Sequence, residues 1–247
     1  MKLKRRELIA GIGSLGAGLI LSGCGNANKS PSAETQSSAK QDEEAKGGEV
    51  TATEDLMREH GVLRRALFVY SETALNLRGN PSSVAPDALQ KTAILFRAFG
   101  EEYHEKKLEE AYIFPAVKNA GGAAANLPDI LVTQHQRGRE ITDYILGVTK
   151  GAKLGASDAE PLARAMESLV RMYRAHAARE DTIIFPAWKE TLTAKQLDEM
   201  NDKFEEIEHQ QFGEDGFEDA VKQMSDIEGN LGLADLSLFT APPLPIK

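Results

Sequence analysis

The sequence is short of several things. It has one cysteine in 247 residues, Cys24, so no disulfide can close within the chain and no thiolate cluster can hold a metal. It lacks positive charge: 29 Lys and Arg stand against 38 Asp and Glu, a formal charge of −9, and such a surface is repelled by nucleic acid. Its N-terminal apolar run, about Leu8 to Leu21, is shorter than the roughly 20 residues that span a bilayer. Nothing in it reads as a strand.

What is present divides the chain into four parts. Residues 1–23 carry basic Lys2, Lys4, Arg5 and Arg6, then the apolar run, then small residues, which is the layout of a signal peptide. The stretch "LSGC", Leu21 to Cys24, resembles the lipobox of bacterial lipoproteins, in which the cysteine is lipidated and becomes the new N-terminus. That resemblance implies a protein of the cell envelope, anchored by lipid on Cys24 and facing outside the cytoplasm. "KRRELIA" also resembles a twin-arginine export signal, although any export signal needs positive charge here, and the route stays open. Removal of residues 1–23 leaves 25 basic against 37 acidic residues, a formal charge of −12, so the surface gains nothing from anionic lipid and the anchor must supply attachment. Residues 24–52 are rich in Ser, Ala, Gln, Lys and Glu and read as a disordered tether reaching on the order of 30 Å. A helical domain at 53–225 and a short tail at 226–247 complete the expected organisation.

Apolar spacings of three and four define four long helices and one shorter. The first runs from about Glu54 to Arg78, with Thr53 as expected N-cap and the stripe Leu56, His60, Leu63, Leu67, Tyr70, Ala74. The second starts near Pro86 and aligns Leu89, Ala93, Phe96, Gly100, His104 and Leu108; the third starts at Pro128 and aligns Leu131, His135, Gly138 and Ile145. The fourth opens with a capping box from Ser157 to Glu160 and aligns Leu162, Met166, Leu169, Tyr173, His176, Glu180 and Ile183. The fifth spans Thr193 to about His209, again behind a capping box, Thr193 to Gln196. The expected fold is all-α, an antiparallel four-helix bundle with an additional C-terminal helix.

Each long helix puts one histidine in its inward stripe: His60, His104, His135 and His176. One such histidine is usually a satisfied core residue, but four converging in a bundle point to metal, because neutral imidazole is the commonest metal ligand. The intervals agree: His60 to His104 is 44 residues and His135 to His176 is 41, as two matched hairpins require for a common depth. Glu180 lies four residues after His176 on the same face, and a buried carboxylate beside imidazoles must be paired or ligate a metal. By the same helical angle Glu110 and Asp181 are expected to be surface acids. Imidazole and oxygen donors without thiolate suit a carboxylate-bridged iron pair better than a structural zinc.

Together, in order, these residues resemble the hemerythrin-like domain, a four-helix bundle holding a non-haem di-iron centre. The resemblance covers roughly Glu54 to Trp188. It implies that His60 and His104 serve one iron, His135 and His176 the other, and that Glu109 and Glu180 bridge them. Two departures stand out. Oxygen-carrying members have a second histidine four residues after the third-helix one, where this chain has Arg139, and fewer protein ligands leave more open positions. His209 is a candidate replacement that falls off its helix's apolar stripe. The segments "YHEKKLEEAYIFPAV" (103–117) and "RAHAAREDTIIFPAW" (174–188) share "IFPA" and an acidic pair, yet Glu109 follows its histidine by five residues and Glu180 by four. Five residues of ideal α-helix leave Glu109 about 140° away from His104. A π-bulge between about Tyr103 and Glu110 would restore the alignment; otherwise Glu105 ligates, or the site is asymmetric. Pro115 and Pro186 are expected to kink both helices just beyond the acids.

The resulting expectation is a lipid-anchored di-iron protein that binds, senses or reduces a small molecule such as oxygen, peroxide or nitric oxide, possible protein partner unidentified. The alternative is iron storage or delivery, or a metal-binding structural module without redox turnover.

Overall fold

The computed structural model describes residues 50–151 and 153–245. The expected signal peptide, the Cys24 lipidation site and the tether as far as residue 49 lie outside the described residues. Among those described there is no strand, and no helix is long and apolar enough to cross a membrane.

Four helical rods form the bundle. The first is α1 (Ala52–Gly79). The second is continuous from α2 (Pro86–Leu95) through a π-helical segment (Phe96–Ile113) into α3 (Phe114–Ala120). The third is α4 (Pro128–Val148). The fourth runs from α5 (Ala159–Arg179) through a π turn (Glu180–Ile184) into α6 (Phe185–Glu190). Along α1 the buried positions Leu56, His60, Leu63, Leu67, Tyr70 and Ala74 face α5, as their spacing requires. The α1 N-cap is Thr51, whose hydroxyl accepts from the Glu54 amide at 3.3 Å; Thr53, expected to cap, lies inside the first turn and is buried. At the start of α5 the expected Ser157–Glu160 capping box does not form, because the Glu160 carboxylate turns to Arg78, 3.0 Å away.

Two helices complete the domain. The capping box at Thr193 does form, and α7 (Ala194–Phe212) runs one turn beyond the expected end. Phe204 of α7 stacks on Trp188 with ring centroids 5.6 Å apart, and Phe212 meets the edge of Tyr103 at 5.3 Å. Gly213, at φ 95°, ends α7 in a conformation that few residues but glycine adopt. The chain then re-enters α8 (Gly216–Leu231), a helix the sequence reading had not separated. Its buried face, Phe217, Ala220, Met224 and Ile227, packs on α1 and α2, and Arg65 of α1 pairs with Glu228 at 2.6 Å. The segment expected to be tail from residue 226 is therefore helical to Leu231, followed by a short 3-10 turn at Leu236–Phe239.

Trp188 is 1% exposed and joins the fourth rod to α7. Trp188→Ala should cost about 3–5 kcal/mol of stability, measured by urea denaturation of the metal-depleted protein.

Candidate metal centre

The π-helical segment settles the register of the second rod. Each π turn closes a hydrogen bond to the fifth residue along, so the five residues between His104 and Glu109 nearly complete a turn and both side chains face inward. The segment is far longer than a single bulge, extending over 18 residues. A matching π turn, not anticipated, follows His176. Both π segments end in the same bond: Phe114 N–H donates to Glu109 O, and Phe185 N–H donates to Glu180 O. The next residues, Pro115 and Pro186, have no N–H to continue an α ladder, and their rings crowd the preceding turn. The repeated "FP" thus fixes the two glutamates at equivalent places.

Within the bundle the four imidazole Nε2 atoms point toward one another. His60 and His104 meet Nε2 to Nε2 at 3.0 Å, and His135 and His176 do the same at 3.0 Å. Two carboxylates lie between the pairs. Glu109 presents Oε1 to His104 and Oε2 to His135, each at 3.4 Å. Glu180 presents Oε2 to His60 at 3.5 Å and Oε1 to His176 at 2.9 Å. Thus all six residues expected as ligands come together, each at most 3% exposed. Glu105 does not compete for the bridging place: its oxygens are taken by the Tyr173 hydroxyl at 2.6 Å and by Arg139 at 3.2 Å. His209 is exposed and remote from this set.

The outer nitrogen of every imidazole has a partner as well. His104 Nδ1 bonds Glu59 at 2.7 Å and His60 Nδ1 bonds Asp181 at 2.7 Å. His135 Nδ1 bonds Glu110 at 2.9 Å and His176 Nδ1 bonds the Gln134 amide oxygen at 2.8 Å. Glu110 and Asp181, expected at the surface, are corrected by this result: in the π geometry each turns under the bundle to hold a histidine of the opposite hairpin. Phe114 stacks on His135 at 5.6 Å and Phe185 on His60 at 5.4 Å. The two halves are therefore related by a near two-fold. The residue before each odd-helix histidine, Glu59 or Gln134, holds the histidine of the following rod; each acidic pair supplies one inner carboxylate and one outer one. Sequence reasoning missed Glu59 and Gln134, although their shared place in "EH" and "QH" was a visible signal.

Arg139, where another histidine was looked for, donates to Glu110 at 2.6 Å and to Glu105. Gly138 beside it admits the Tyr173 phenol, into which any Cβ at 138 would collide.

This arrangement demands positive charge. Burial alone would push the His104 pKa down, but Glu109 and Glu59 outweigh it and raise it well above the usual value. Likewise burial opposes charge on His135, while Glu105, Glu109 and Glu110 push its pKa up to about 10. The Glu109 carboxyl, which burial would raise, is held well below its usual range by His104 and His135. The four oxygens of Glu109 and Glu180 are buried with no hydrogen-bond partner. Orphaned carboxylate oxygens cost several kcal/mol inside a protein. An oxygen acceptor at Nδ1, carboxylate or amide, keeps a proton there and leaves Nε2 as the inward atom of each imidazole, the one that can give its lone pair to a metal. Both features fit a metal, which takes lone pairs and orphaned carboxylates together.

Residues 51–188 match the family model for the hemerythrin HHE cation-binding domain. The chain belongs to that family. Uncharacterized proteins of Mycobacterium bovis and of Mycobacterium tuberculosis are 45% identical to it over 192 residues, which cover 77% of this chain and 74% of each relative. No solved structure matches it significantly. The family is a metal-binding helical domain, in agreement with the donor set assembled here.

Two outcomes follow. Gly138→Ala should displace Tyr173 from Glu105 and cost about 1–3 kcal/mol by overpacking, read from thermal unfolding. Glu101, one turn before Glu105 in the second rod, accepts from Thr142 at 2.6 Å, and burial first, then Glu105, raise its pKa to about 7. Its raised folded-state value favours the fold below the unfolded value near 4.5 and withdraws that support as pH rises through 7. The metal-depleted protein should lose on the order of 2–3 kcal/mol between pH 5 and 8 from this group, and Glu101→Gln should flatten the loss in denaturation curves taken across that range.

Proposed function

We propose that this chain is a non-haem di-iron protein, with His60 and His104 holding one iron, His135 and His176 the other, and Glu109 and Glu180 bridging. The observation that carries the reading is the way each inner glutamate offers one oxygen to each histidine pair. Charge supports two ions. Six carboxylates (Glu59, Glu105, Glu109, Glu110, Glu180, Asp181) and two guanidiniums (Arg64, Arg139) surround the imidazoles, a formal charge of −4 that two divalent cations neutralise. Oxygen and imidazole donors without thiolate suit iron.

The site serves a small molecule, by this reading oxygen, peroxide or nitric oxide, which it binds, senses or reduces. An iron pair supplies electrons and open coordination positions for such a ligand. The chain's own part is to exclude water and to fix the donors. The cavity against the site, between Leu63, Leu67, Tyr173 and Ala177, has room for about one water-sized group, about 10 Å³. Its tightness disfavours iron storage or delivery, which needs an exchange path for hydrated ions. Export and anchoring through Cys24 would put this chemistry at the cell envelope, beside a membrane and within reach of a protein partner.

Protein purified under iron-replete conditions should contain about two irons per chain, with absorption bands that change when oxygen, peroxide or nitric oxide is added separately. His135→Ala and His176→Ala should each lower the iron content. Less than about one iron per chain, unchanged by either substitution, would sink the di-iron reading; iron bound but inert to all three ligands would sink the small-molecule reading alone.

A further inference from the structure

The two metal positions have the same inner donors, two imidazoles and a share of two carboxylates. Their outer bonds differ. At the His60/His104 position both Nδ1 atoms meet carboxylates, Asp181 and Glu59. Each of these carboxylates answers its imidazole with one oxygen and other partners with the second: Asp181 uses Oδ2 for Arg64, and Glu59 uses Oε1 for the Tyr103 hydroxyl. At the His135/His176 position, His176 meets only the neutral amide of Gln134. His135 meets a carboxylate, Glu110, which also accepts from Arg139 at 2.6 Å, much as Asp181 answers Arg64 at the other position, so the neutral amide on His176 is the difference between the two. Glu105 acts on His135 through its charge but makes no hydrogen bond to it, lying 3.9 Å from His135 Nδ1 with both oxygens engaged elsewhere.

A carboxylate on the outer nitrogen draws the proton toward itself and makes the inner nitrogen a stronger donor, whereas an amide oxygen does so weakly. We infer that Gln134, the one outer partner without charge, makes the His135/His176 position the weaker of the two, so that one iron is resident in the His60/His104 position while the second binds later and leaves first. The inference rests on the two-metal reading above. Gln134 is a positioning residue here, acting through His176 and touching no metal. Its place is equivalent to that of Glu59 under the near two-fold, so a glutamate at 134 meets the same geometry that already accommodates one at 59.

The experiment is an anaerobic titration of the metal-free full chain with ferrous iron, followed by calorimetry. The unsubstituted protein should fill in two steps whose dissociation constants differ by about 10-fold or more, the range that outer hydrogen-bond partners command. Gln134→Glu should tighten the weaker step several-fold and leave the stronger unchanged, drawing the two together. Gln134→Ala should loosen the weaker step alone. Mössbauer spectra of the fully loaded ferrous protein should resolve two environments that approach one another in Gln134→Glu. Two equal steps in the unsubstituted protein would overturn the inference, as would a Gln134→Glu variant, folded by circular dichroism, that alters only the tighter step or neither. Failure to bind a second iron at all would instead count against the two-metal reading.

Discussion

Everything in this bundle answers to the cost of burying charge. Glu109 and Glu180 lie at the centre with no exposure and no hydrogen-bond donor for any of their four oxygens. A bundle of this size can keep two such groups inside only by setting positive charge against them, and the donors gathered around them are a set that could hold a metal ion. The remaining polar contacts follow from that demand. Tyr103 and Tyr173 donate their hydroxyls to Glu59 and Glu105, Thr142 donates to Glu101, and Arg139 reaches under the second rod to two more carboxylates. At the centre the four oxygens of Glu109 and Glu180 are left without a hydrogen bond, so unused acceptor capacity gathers between the four histidines.

The backbone carries the same logic. The proline of each "FP" pair denies the helix an amide, the preceding turns widen to π geometry, and the acidic pair before it swings so that one carboxylate faces inward and its neighbour reaches the other hairpin. The phenylalanine of each pair lies on the histidine that the neighbour holds. A segment of seven residues thereby performs three tasks at once, and doing so twice gives the site its near two-fold form. The departure from that symmetry, Gln134 opposite Glu59, is where the two halves become chemically distinct; Arg64 and Arg139, each four residues after an odd-helix histidine, hold Asp181 and Glu110 alike.

Much of this was legible in one dimension. Apolar stripes gave the four rods and α7, and the equal intervals between His60 and His104 and between His135 and His176 put four imidazoles at one level. The one-residue mismatch before Glu109 pointed to a π turn. What was misjudged shares a cause: Glu110 and Asp181 were assigned to the surface, and the second π turn was missed, because the angles were reckoned on an ideal α-helix. Thr51 displaced Thr53 as cap, and Glu160 left its capping box for Arg78, because both choices depend on which distant side chain is nearby.

The sequence by itself therefore determined the four rods, α7 and the inward facing of the four histidines and Glu180, since periodicity and spacing are local properties that a helix converts directly into depth and facing. Only the tertiary structure decided the outer bonds: that Glu59 serves His104 rather than its neighbour His60, that Asp181 crosses 121 residues to reach His60, and that Gln134 stands where a carboxylate stands in the other half. Those pairings join different rods, and no period within one rod encodes the side chain that another rod brings beside it.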